Sequence, residues 1–131
     1  MIRSKRVALF VLLLLLSGCG KGSTAYWLEQ LHSPNAALRL KAVRILPERK
    51  ADAAQVIPAL IEALQDEDED VRRGAAFGLG AFGEEATAAV PALQACLRDP
   101  HATVRKAAGT ALSFIDPKLA PKTNTSRTRG K

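Results

Sequence analysis

The sequence predicts an all-α fold, a short right-handed α-solenoid of about three helix-turn-helix repeats. The first observation behind this is a period: "LHSPNAALRLKAVRIL" from Leu31, "LQDEDEDVRRGAAFGL" from Leu64 and "LRDPHATVRKAAGTAL" from Leu97 superpose without a gap every 33 residues. Self-similarity at that spacing marks stacked supersecondary units. The second observation is helical spacing within the copies. Val71, Ala75, Gly78, Leu79 and Phe82 fall on one side, as do Val104, Ala108, Ala111, Leu112 and Ile115, which makes that side core. A chain of 131 residues leaves room for about one domain.

The chain opens with basic "MIRSKR", continues with the apolar run Val7 to Leu16 and reaches small residues at Ser17-Gly18, the three parts of an export signal. The apolar run is far short of the ~20 residues needed to cross a hydrocarbon core. Leu16-Ser17-Gly18-Cys19 resembles the lipobox of a bacterial lipoprotein precursor. The resemblance implies removal of residues 1–18, diacylglycerol on the Cys19 sulfur and acylation of the new amino terminus, with residues 19–23 as a tether. Several acyl chains on one residue anchor far more firmly than one. The expected location is therefore exported, lipid-anchored to the cell membrane or, in a Gram-negative cell, to the periplasmic side of the outer membrane. Apart from that covalent lipid, no cofactor is expected.

The repeat domain is expected over residues 24–116, divided at 24–50, 51–83 and 84–116. Its first helices are placed around Asp52 to Leu64 and Glu84 to Leu97. Asp52 and Gln55 have the spacing of a capping box. Pro58 and Pro91 must sit in a first turn or kink the helix, because they lack an amide hydrogen. The second helices come after polar turns, "SPN", "DED" and "DPH", rich in residues that cap helix starts. In "RRGAAFGLGAFG" the glycines Gly74, Gly78 and Gly80 each disfavour helix by about 1 kcal/mol. Small residues recur in those columns at Ala107, Ala111 and Ser113, so close helix packing is expected there. Gly83 is placed as a helix stop. With Cys19 acylated, Cys96 has no intrachain partner and is expected to be a buried, small hydrophobe.

Pro58 and Pro91 stand eight residues before Asp66 and Asp99, and Val71-Arg72 and Val104-Arg105 lie just beyond. On these columns the chain resembles HEAT repeats, particularly the short HEAT-like kind associated with phycobilisome lyases. The first copy departs, with Ala25, Ser33 and Leu38-Arg39 in those columns, as an N-terminal cap does. The resemblance implies a structural ladder of Arg39, Asp66, Arg72, Asp99 and Arg105. It also implies an alternative function as a lyase-like or accessory enzyme, since some HEAT-like proteins attach bilins to phycobiliproteins.

The net charge of +6 is uneven. Residues 117–131 carry five basic side chains and no acid, whereas 22–116 carry 10 basic and 13 acidic ones, a net −3 (10 minus 13). The basic end "PKLAPKTNTSRTRGK" is expected to be disordered and offers a second alternative, binding of anionic envelope polymers or lipids. The acidic run Asp66 to Asp70 lacks the spacing of a calcium loop and suits a solvated capping turn. The scattered Ser, His and Asp residues form no catalytic constellation. The expected activity is that of a non-enzymatic, membrane-anchored interaction module with a protein partner in the envelope, and neither nucleic acid, a small-molecule substrate nor a metal is expected.

On the helical wheel Arg73 and Phe77 point away from the core, and Leu40, Arg44, Lys106 and Thr110 share their columns. Arg44, Arg73, Phe77 and Lys106 are therefore expected to face a partner on the inner surface of the solenoid. Arginines and aromatics are the residues that most often anchor interfaces.

Overall fold

The computed structural model describes residues 22–119, so Cys19, the export signal and residues 120–131 lie outside it. Six α-helices are present among the described residues: α1 Thr24–Gln30, α2 Ala36–Ile45, α3 Ala53–Ala63, α4 Glu69–Gly80, α5 Val90–Cys96 and α6 Ala102–Ile115. They pair as α1/α2, α3/α4 and α5/α6, and the second helices α2, α4 and α6 pack side by side. Trp27, Leu60 and Leu93, one column of the repeat, are all buried, as are Val71 and Val104, and Leu79 and Leu112. One continuous core runs through the three pairs, as expected when each unit buries its apolar face on its neighbours.

Polar side chains start three of the helices. Ser23 accepts from the Tyr26 amide, Asn35 from that of Ala37, and Asp68 from those of Asp70 and Val71, satisfying donors that a helix leaves unpaired. The capping box expected at Asp52 and Gln55 does not form. The chain enters α3 through a 3-10 turn, Lys50–Asp52, which leaves Asp52 at φ −104°, ψ 19° with no side-chain cap bond. Its carboxylate instead accepts a hydrogen bond from the Thr24 hydroxyl, tying the first two repeats together.

The prolines diverge. Pro58 lies inside α3 at an exposed position, and the carbonyl it leaves unpaired belongs to Ala54, itself exposed. Pro91 sits in the first turn of α5, because the helix expected from Glu84 begins as a 3-10 run, Gly83–Ala89, broken by the non-helical Ala86. Gly83 has φ 56°, the left-handed conformation that glycine adopts at low cost.

The glycines of α4 serve close packing. A Cβ on Gly78 would stand 2.7 Å from Cγ of Pro47 and 3.1 Å from a methyl of Leu60, and one on Gly80 would stand 3.0 Å from Cα of Ala111. Cys96 is a buried free thiol facing the carbonyl of Leu64. Burial pushes its pKa up; Asp99 adds to this and Arg72 opposes it.

Three residues of the basic end are described, and the rest lie outside the described residues. Pro117–Leu119 form a 3-10 turn, in which the Asp116 carboxylate accepts from the Lys118 amide and the Asp116 carbonyl accepts from that of Leu119. Leu119 packs against the core, so apolar contact orders these three residues despite their polar surroundings.

Candidate interaction groove

Between α2, α4 and α6 lies a groove of about 630 Å³, and Arg44, Arg73, Phe77 and Lys106 all line it, together with Leu40 and Pro47. The four residues singled out on the helical wheel thus share one surface. Phe77 is 52% exposed. Arg73 donates to Asp70 at 2.7 Å, which compensates its charge; Arg44 and Lys106 make no ion pair among the described residues. The groove therefore combines net positive charge with an open aromatic ring.

A second hollow, of about 340 Å³, adjoins the first at Phe77 and Ala81 and is bounded by Phe114, which is 65% exposed. Sequence reasoning missed Phe114. It lies on the same stripe as Lys106 and Thr110, one turn further along α6, and extending that stripe past Thr110 would have found it.

The ladder runs along the turns between paired helices. Arg39 donates from Nε to Asp66 at 2.8 Å and from Nη2 at 3.1 Å; Arg72 does the same to Asp99 at 2.8 and 3.2 Å. These forked pairs have little exposure, 8% and 11% for the first and 12% and 8% for the second. A bidentate guanidinium–carboxylate pair is strong and directional. The side-chain bond to Asp66 raises the Arg39 pKa, and that to Asp99 raises the Arg72 pKa. Arg72 holds the Asp99 carboxyl below the usual carboxylate range, with help from the His101 amide and against the opposing effect of burial.

Arg105 departs from the ladder role expected of it. It is exposed and, among the described residues, donates to the carbonyls of Asp99 and Pro100, at 2.7 and 2.9 Å, and residues 117–131 do not carry on the repeat pattern that would place an aspartate on its guanidinium. The acidic run resolves into individual roles: Asp66 in the ladder, Glu67 beside Arg39 at 3.3 Å, Asp68 as a cap, Asp70 with Arg73, and Glu69 on His101 at 2.7 Å. His101, whose other ring nitrogen lies 3.1 Å from Arg72 Nη2, joins the second and third repeats in a way the sequence pattern did not signal. Among the described residues no three His, Cys, Asp or Glu side chains are grouped to hold a metal.

The family described as HEAT repeats matches residues 24–113. Among solved structures, a chain from the complex of CpcE and CpcF of phycocyanin lyase from Nostoc sp. PCC7120 is similar at 33% identity and a TM-score of 0.68, over 76% of this chain. The similarity spans 40% of that longer chain. No curated protein matches. With three helix pairs in a 33-residue sequence register, an arginine–aspartate ladder and a family match over most of its length, this chain belongs to the HEAT-repeat family.

Proposed function

We propose that this protein is a HEAT-repeat interaction module that binds a protein partner in the groove between α2, α4 and α6, held at a membrane of the cell envelope by lipid on Cys19. The observation that carries the reading is the shared surface of Arg44, Arg73, Phe77 and Lys106. Two uncompensated cations beside exposed aromatics suit a partner whose surface is acidic and partly apolar. The lipobox supports the anchor, and the similarity to a chain found in a two-protein complex supports a protein partner.

The experiment is affinity capture from solubilised envelopes with the natural protein and with Arg73→Glu/Phe77→Ala. The double variant should keep its helical circular dichroism and lose the partner. Equal capture by a folded double variant removes the groove from consideration. In the same cells Cys19→Ser should abolish metabolic acyl labelling.

The similarity to a chain of phycocyanin lyase favours a second reading, a lyase-like or accessory enzyme. It is distinguished by incubating the chain with phycocyanin apoprotein and free bilin: covalent attachment that requires the chain supports the enzyme, and none supports the module.

A further inference from the structure

Each ladder arginine is held first from within its own repeat. Nη1 of Arg39 donates to the carbonyls of Ser33 and Pro34, that of Arg72 to Asp66 and Glu67, and that of Arg105 to Asp99 and Pro100. This clamp sets the guanidinium pose whether or not another repeat is stacked behind it. In the first two repeats the remaining edge, Nε and Nη2, then takes the aspartate of the next repeat. Arg105 presents that same edge with no carboxylate on it among the described residues, and residues 117–131 contain no acidic side chain that could supply one.

The other end of the solenoid is built differently. Ser33 occupies the aspartate column, and its hydroxyl accepts the Asn35 amide at 3.2 Å, as Asp66 accepts from Asp68 and Asp99 from His101. Serine keeps the turn but lacks the second oxygen a guanidinium fork requires. Lys41 and Ile45 fill the columns of Gly74 and Gly78 in α4 and of Ala107 and Ala111 in α6. Through those small residues α4 approaches Val43 and Pro47, and α6 approaches Gly80. The Lys41 ammonium instead lies 5.4 Å from the centre of the Trp27 ring. The first repeat therefore lacks the carboxylate that an arginine of a preceding unit would take, while the third presents an arginine edge of the kind that takes the aspartate of a following one.

We infer that the C-terminal face of the solenoid is a docking surface for a helix-turn-helix repeat of a second protein, which completes the ladder by placing an aspartate on Arg105. A second copy of this chain is not the occupant, because its head offers Ser33 and Lys41. The surface is distinct from the groove, which Arg105 does not line.

The probe is the full chain with its head opened and its own tail blocked, Ser33→Asp/Lys41→Ala/Arg105→Ala. In detergent solution at about 0.1 mM, where an interface of micromolar dissociation constant is largely formed, sedimentation velocity should show a one-to-one complex with the natural chain. Introducing Arg105→Ala into the natural chain should weaken that complex by about tenfold or more, as loss of one side of a forked charge pair does. A second probe adding Ile45→Ala covers the case in which isoleucine holds the two ends apart; if that variant unfolds, the first probe decides. Folded probes that do not bind, or that bind the Arg105→Ala chain equally well, overturn the inference. Arg105-dependent self-association of the natural chain overturns it too, by making a second copy the occupant.

Discussion

At Asp99 three donors converge on one carboxylate: Nε and Nη2 of Arg72 and the backbone amide of His101. The folded-state pKa is therefore lower than the unfolded value of about 3.9. For a depressed carboxyl the stabilisation is fully present above the unfolded pKa and is lost as pH falls through the folded one. Asp99→Asn should cost about 3 kcal/mol at pH 7, since it leaves a buried arginine without its counter-charge. The gap between variant and natural protein should narrow as urea unfolding is repeated below pH 4; a gap independent of pH would separate Asp99 from acid stability. The Arg72–Asp99 pair was legible in the sequence because its members recur in fixed columns of a repeat. The bond from Thr24 to Asp52 was not, because it is made once, between residues 28 apart, with no second copy to display it.

Among the elements, α4 tests whether its glycines serve packing or merely tolerate it. Alanine at Gly78 gains about 1 kcal/mol of helix propensity, yet its Cβ would meet the Pro47 ring at 2.7 Å. A pyrrolidine ring cannot rotate aside, so overpacking, typically 1–3 kcal/mol, should win. The expected net loss of about 1 kcal/mol corresponds to a melting temperature roughly 4–8 °C lower in a domain of this size. A thermal melt that rises instead would mean that α2 and α4 have room to separate. Residue by residue, "RRGAAFGLGAFG" argues against helix, and only its register with "RKAAGTALSF" identifies it as one. The opposite failure occurs before α5, where "GEEATAA" looks helical from its composition but starts from a glycine at positive φ and enters as a 3-10 run. Composition does not contain the direction in which the preceding turn delivers the chain.

Across the whole molecule, the period of 33 made the architecture legible, and the wheel of each second helix brought four residues of the groove together from the sequence alone. What a period cannot convey is its own termination. The exposed Arg105, the Ser33 end and the ordered turn Pro117–Leu119 all belong to ends, where a column has a member on one side only. A one-dimensional stack couples each unit only to its neighbours, so what happens at an end is decided locally.

The guanidinium of Arg49, just past the last turn of the first repeat, donates to the carbonyl of Gly22, three residues beyond Cys19. If the chain hangs from a bilayer by Cys19, drag on a partner enters at Gly22, where this bond shares the load with the backbone. Pulling then loads Arg49 together with the start of α1. Stretching single molecules between Cys19 and Lys131 should show this as a first rupture whose force falls in Arg49→Ala, with the later ruptures of the second and third repeats unchanged. An unaltered first rupture would mean that the load bypasses Arg49 and enters at Ser23.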